Sequence, residues 1–117
     1  MLGEKGEEKV SSYLRKNGYI IVKRNYRDRF GEIDIVAERG NLLAFVEVKT
    51  RFEGALVSGL EAIDKHKRRR IRLTASEFLK KIPGDYDSRF DVASVEVYMK
   101  SDETLGWRLE YIEDAFG

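Results

Sequence analysis

Two carboxylates and a lysine stand at spacings that suit phosphate chemistry: Asp34, then Glu47, then Lys49 two residues on. Gly40-Asn41 separates the two β-branched segments that carry them, and such a pair is a two-residue hairpin signal. The turn sets a register. With Arg39 opposite Leu42, Val36 faces Phe45, Asp34 faces Glu47 and Glu32 faces Lys49, and residues directly opposite share a face. The other face collects Ile33 with Val48, Ile35 with Val46 and Ala37 with Ala44, and reads as core. Like charges opposite each other destabilise an antiparallel pair, so Asp34 against Glu47 calls for a compensating cation. Mg²⁺ accepts one or two carboxylates, with water and phosphate oxygens completing its shell. Lys49 is placed to orient or deprotonate an attacking water, or to stabilise charge building on a phosphate. The plainer alternative is a solvated strand face, and Val36 and Phe45 argue for a partly covered one.

Composition narrows the alternatives. A chain of 117 residues is expected to form one domain, and a 42% hydrophobic share excludes disorder. The absence of cysteine excludes disulfide scaffolds, thiolate metal sites and cysteine nucleophiles. The single histidine, His66, excludes a multi-histidine metal site and reads as a surface residue. Gly3, Gly6 and Gly59 form no phosphate loop, and Ser11, Ser12 and Ser58 show no nucleophile motif. Net charge is only +1, so a polyanionic partner has to be held by a local patch. Two patches qualify. One is the run from Lys65 to Arg72, whose bland alternative is a solvated helix face. The other is Arg24, Arg27, Arg29 and Arg51 near the open end of the hairpin, placed to hold phosphates or to neutralise Glu32. No segment is apolar for long enough to span a bilayer, so the expectation is a cytoplasmic protein with no membrane partner.

The elements that must position these residues follow from periodicity. A helix is predicted over 3–17, with Val10, Tyr13 and Leu14 as its apolar face and Asn17-Gly18 as its stop. Strands are predicted over 19–27, 32–39 and 42–51, with a loop over 52–59. A second helix runs from 63 or 64 to 82, striped by Ile71, Ala75, Phe78, Leu79 and Ile82 and ended by Pro83-Gly84. Strands over 88–100 and 107–112 complete a mixed α/β layer around a central sheet. Asp91 is expected to be tied into the core by hydrogen bonds. Trp107 and Tyr111 alternate on the last strand as core or dimer contacts.

Asp34 followed by Glu47-Val48-Lys49 resembles the split Asp…Glu-X-Lys signature of restriction-endonuclease-like nucleases. Longer strings point the same way: Gly3-Glu4-Lys5-Gly6-Glu7, Arg24-Asn25-Tyr26-Arg27, Gly31-Glu32-Ile33-Asp34-Ile35-Val36-Ala37, Phe45-Val46-Glu47-Val48-Lys49-Thr50-Arg51, Arg89-Phe90-Asp91-Val92 and Ile112-Glu113-Asp114-Ala115-Phe116. In this order, over nearly the whole chain, they are similar to the small bacterial YraN-type family, which itself resembles archaeal Holliday-junction resolvases. The resemblance implies one nuclease-like domain, residues 1–117, with a restriction-endonuclease-like α/β core: a mixed central sheet flanked by helices. It implies a metal-dependent endonuclease that hydrolyses DNA phosphodiester bonds, branched DNA included, with Mg²⁺ or Mn²⁺ as cofactor. Asp34, Glu47 and Glu7 would hold the metal, helped by the Val48 carbonyl, and Lys49 would be the catalytic lysine beside Asp34 and Glu47. Lys67 and Arg70 match basic positions of the family and would bind nucleic acid together with Arg24, Arg27 and Arg51. Glu32 would be accessory, pairing with Lys49 or meeting a second metal. Ile33 departs from the pattern, standing where many such nucleases have proline. The alternatives are a nucleic-acid-binding accessory module of the same fold with little or no cleavage, and a structural subunit whose charged face meets a partner protein. A homodimer would suit the paired cleavage sites of branched DNA.

Overall fold

A computed structural model of the chain describes residues 2–54 and 63–116. The elements run α1 (Leu2–Lys16), β1 (Ile20–Arg27), β2 (Glu32–Arg39), β3 (Leu42–Phe52), α2 (Lys65–Lys80), β4 (Asp87–Met99) and β5 (Leu105–Ile112). The expected order is therefore present. β3 reaches Phe52, and the expected loop from residue 55 onward lies outside the described residues.

The five strands form one sheet in the order β1-β2-β3-β4-β5. Neighbours are antiparallel except β3 and β4, which are parallel with α2 between them in the chain. Each face of the sheet is covered by a helix. Val10 and Leu14 of α1 pack on Ile35, Ala37, Ala44 and Val46. Ile71, Ala75 and Phe78 of α2 pack on Val36, Leu43, Phe45 and Val92 from the other side. Burial on both faces explains why β3 is apolar without alternation from Leu43 to Val46. This mixed α/β layering is compatible with a restriction-endonuclease-like core. Among the described residues no helix is long and apolar enough to cross a membrane.

The hairpin register holds from Arg39 and Leu42 to Ile35 and Val46, with Gly40 turning at φ 61°. Beyond that row the expected pairing fails. Ile33 does not sit opposite Val48 on a shared apolar face; it pairs with Tyr26 of β1 and joins the core under α2, whereas Val48 packs on the α1 side. The cause lies one strand away. Between the rows Arg24–Ile35 and Tyr26–Ile33, Asn25 takes φ 54°, a left-handed conformation that asparagine tolerates better than most residues. Across that step the strand pair exchanges faces.

Candidate functional site

β4 holds β3 in parallel register along its whole length, from Leu42–Asp87 to Phe52–Val97. β2 stays with β1 down to the Arg27–Glu32 row. The sheet therefore forks between β2 and β3, and the predicted chemistry lies in the fork. The Val48 N–H donates at 2.7 Å to Oδ2 of Asp34, so a carboxylate takes the place of a cross-strand carbonyl. Glu47, one residue back, is only 6% exposed. Its Oε1 meets Lys67 Nζ of α2 at 2.8 Å and Lys49 Nζ at 3.5 Å.

Both helices bring their N-terminal turns to this region. Asp64 caps α2 by accepting from the Lys67 N–H at 2.8 Å. α1 approaches β3 closely because residue 6 is glycine: a Cβ there would lie 2.0 Å from Thr50 Oγ1 and 3.1 Å from Thr50 Cβ. That approach sets the next residue, Glu7, where its charge reaches Asp34. Gly6→Ala is accordingly expected to lower stability by about 1–3 kcal/mol, as overpacking does. Thermal denaturation should also show Thr50→Ala recovering part of that loss in the double variant; no recovery would place the strain elsewhere.

The electrostatics of the fork are unusual. Burial, reinforced by the negative charges of Glu47 and Glu7, raises the Asp34 carboxyl to a pKa of about 7, against the opposing pull of the Val48 N–H. Lys49 is lowered, first by burial and then by its hydrogen-bonding contact with Lys67. Burial also acts to lower Lys67, but its contacts with Glu47 and Lys49 outweigh it and the net shift is upward. Of the two ammonium groups, Lys67 therefore holds its proton the more firmly and Lys49 gives its proton up the more readily.

The donor set fits a hard, partly hydrated divalent cation. Two acids from neighbouring strands lie close enough for the charge of Glu47 to act on Asp34, and Mg²⁺ needs no more than that from a protein when water and phosphate oxygens supply the rest. Among the described residues no three carboxylates or imidazoles close into a metal-holding group. Glu7, the predicted third ligand, is drawn toward Arg24, whose Nη2 lies 3.6 Å away while its Nη1 holds Glu8 at 2.7 Å.

The remaining predicted residues separate into distinct places. Glu32 is not opposite Lys49; the fork carries it away, and Arg27 holds it with Nη2 at 2.7 Å and Nε at 3.1 Å. Arg24 is engaged by the α1 acids, and the Nε of Arg51 is buried without a hydrogen-bond partner among the described residues. Arg70 is exposed on α2, beside Gly31 of the β1–β2 turn. Arg68 and Arg72 lie over the Phe116 ring at 5.8 and 5.6 Å, so part of the basic run packs on the C-terminal segment. Lys67, expected among the phosphate contacts, instead enters the acidic site. Its sequence signal is its place on the apolar stripe, four residues after buried Ile63 and four before buried Ile71. A lysine in that row is aimed at the sheet, not at solvent.

A family model described as uncharacterised protein family UPF0102 matches residues 6–95. A UPF0102 protein of Alkaliphilus metalliredigens is 40% identical over 116 residues, covering 98% of this chain and 96% of the relative. Another, from Caldicellulosiruptor saccharolyticus, is 43% identical over 117 residues with the same coverage. A third, from Dictyoglomus thermophilum, is 40% identical over 116 residues, again at 98% and 96%. Matched in this way from end to end, this chain belongs to the UPF0102 family, the YraN family that its sequence strings resemble.

Proposed function

We propose that this protein is a metal-dependent endonuclease that hydrolyses DNA phosphodiester bonds, with a preference for branched structure. The observation that carries the reading is the convergence in the fork: a half-buried Asp34 beside buried Glu47, with Lys49 and Lys67 against the Glu47 carboxylate. Asp34 and Glu47 would hold Mg²⁺ or Mn²⁺, helped by the Val48 carbonyl, with Glu7 reaching the site through water. When bound, the cation polarises the scissile phosphate and makes a bound water easier to ionise. Lys49, its basicity already lowered by burial, accepts the proton of the attacking water. Lys67 holds the Glu47 carboxylate in place at 2.8 Å. The N-terminal turns of α1 and α2 favour the approach of an anion, and exposed Arg70 and Arg27 are free to meet flanking phosphates once Arg27 leaves Glu32. So small a domain reads backbone and shape, not base sequence.

The test is an assay of the purified chain with Mg²⁺ or Mn²⁺ on linear, flapped, single-stranded and four-way-junction DNA. Asp34→Ala and Lys49→Ala are each expected to lose about 100-fold or more in rate. Equal cleavage by wild type and both variants would identify a contaminant and end the proposal. One observation favours the second reading, a binding module without cleavage: the Lys67 ammonium already compensates Glu47 at 2.8 Å. That reading requires salt-dependent DNA binding with no product under any metal.

A further inference from the structure

The two edges of the sheet are not alike. β1 is blunted in the ways natural edges are: a bulge between Ile21 and Lys23, a left-handed Asn25, and basic Lys23 and Arg24. β5 carries charges of its own, Arg108 and Glu110, but has no bulge and no left-handed residue between Leu105 and Ile112. Its pairing with β4 is unbroken over eight rows, from Val92–Ile112 to Met99–Leu105, and its outer edge has no strand against it among the described residues. Past β5 the chain turns at Glu113–Asp114, with Asp114 at φ 52°, and remains tied to β4: the Asp114 N–H donates to Asp91 and the Ala115 N–H to Phe90. A long, regular, uncovered edge is a template for another strand.

The side chains of β5 state which strand fits. Around Leu109 they read Trp107-Arg108-Leu109-Glu110-Tyr111. Laid antiparallel against its own copy about Leu109, the strand sets Arg108 opposite Glu110 of the second copy and Trp107 opposite its Tyr111, with Leu109 on Leu109. Opposite charges and paired aromatics directly across an antiparallel row each stabilise it. Trp107, Leu109 and Tyr111 all lie on the α1 side, partly buried on that core, so the pairing would continue one apolar row across the join. Arg108 and Glu110 alternate with them and are exposed. Glu110 makes no ion pair among the described residues, whereas Arg108 has Glu96 of β4 at 3.2 Å and Glu53 at 3.6 Å. We infer that β5 is a homodimer interface: two copies pair edge to edge about Leu109 and extend the sheet across a two-fold axis. The inference does not depend on nuclease activity.

The charge pattern gives a test that separates this surface from any other. Glu110→Arg sets two guanidinium groups opposite each other across the axis, and Arg108→Glu sets two carboxylates there. Sedimentation equilibrium from about 5 to about 500 μM should show the wild type dimerising and each single variant at least about tenfold weaker, with circular dichroism confirming an intact fold. Mixed in equal amounts, the two variants present basic against acidic edges and should form a one-to-one heterodimer. A wild type that stays monomeric overturns the proposal. So does a dimer that both variants leave intact, or a mixture whose components stay apart. Glu110→Arg disturbs no ion pair among the described residues, so its effect alone reads association and not folding.

Discussion

Asp91→Ala is expected to cost about 4 kcal/mol of stability, a large share of the roughly 5–15 kcal/mol that holds a domain folded. Asp91 is fully buried, and its carboxylate accepts from three groups. Oδ1 takes Arg89 Nε at 2.9 Å and the Asp114 N–H at 3.0 Å; Oδ2 takes Arg89 Nη2 at 2.9 Å and the Tyr111 hydroxyl at 2.6 Å. Arg89 also donates to the Tyr19 hydroxyl. One carboxylate therefore joins β4, β5, the C-terminal turn and the entry to β1. Hydrogen bonds to Asp91 and Tyr19 hold the Arg89 guanidinium well above its usual range against the pull of burial, and burial followed by the Asp91 contact pushes the Tyr111 hydroxyl up. Removing the carboxylate leaves a phenol and a backbone N–H without their acceptor and a half-buried guanidinium with only the Tyr19 hydroxyl and Glu113 at 3.7 Å, and breaking such a pair costs more than the pair was worth. Asp91→Asn should not rescue it, because an amide NH₂ would point a donor at donors. Thermal unfolding should shift down by ~15 °C for alanine and by most of that for asparagine. A change under a few degrees would mean that the neighbours repack around the loss. Tyr111 also stacks on Tyr13 of α1 at 5.1 Å, so the same variants should loosen β5 and weaken pairing at its edge.

What the sequence could and could not disclose follows the range of the forces involved. Local signals are legible: the Gly40-Asn41 turn, the limits of β2, the α2 stripe and the buried role of Asp91 all depend on neighbours in the chain or on a single burial rule. The fork is not. A two-residue turn dictates register only as far as the strands remain paired, and β3 leaves β2 because β4, some forty residues later in the chain, holds it in parallel over eleven rows. The opposition of Asp34 and Glu47 read from the turn thus brings together two acids that do lie near each other while misdescribing how they meet. They converge across an opening that Asp34 itself caps through Val48, not as a row of the ladder. Glu32 is misplaced for the same reason. Lys67 is hidden by its surroundings: within the run Lys65-His66-Lys67-Arg68-Arg69-Arg70 charge density masks position, and only the four-residue spacing to Ile63 and Ile71 marks it as inward.

Asp34→Asn is expected to abolish the cleavage proposed for this chain and yet to stabilise the protein, by about 2 kcal/mol at pH 8. The folded chain holds the Asp34 carboxyl at a pKa of about 7 against an ordinary 3.8, so folding favours its protonated form. The stabilisation that comes with the proton is fully present below about pH 4 and is lost as pH rises through about 7. Above that, the ionised side chain opposes folding by roughly 4 kcal/mol on the size of the shift. Asparagine removes the charge, spares Glu47 a like neighbour and keeps an oxygen for the Val48 N–H; its amide needs partners of its own, which offsets part of the gain. The advantage of the variant should therefore cross zero at about pH 5–6, become a deficit of about 2 kcal/mol by about pH 4 and reach its full value above about pH 7, as urea midpoints at the two ends would show. Divalent cation separates this from a generic surface effect. If the strain is the cost of a preformed site, Mn²⁺ at about pH 8 should raise the wild-type midpoint and leave Asp34→Asn unmoved, since only the ionised pair gains from it. An asparagine variant less stable than wild type at that pH would instead show that the charge on Asp34 secures the fork, with the capped Val48 N–H outweighing the repulsion from Glu47.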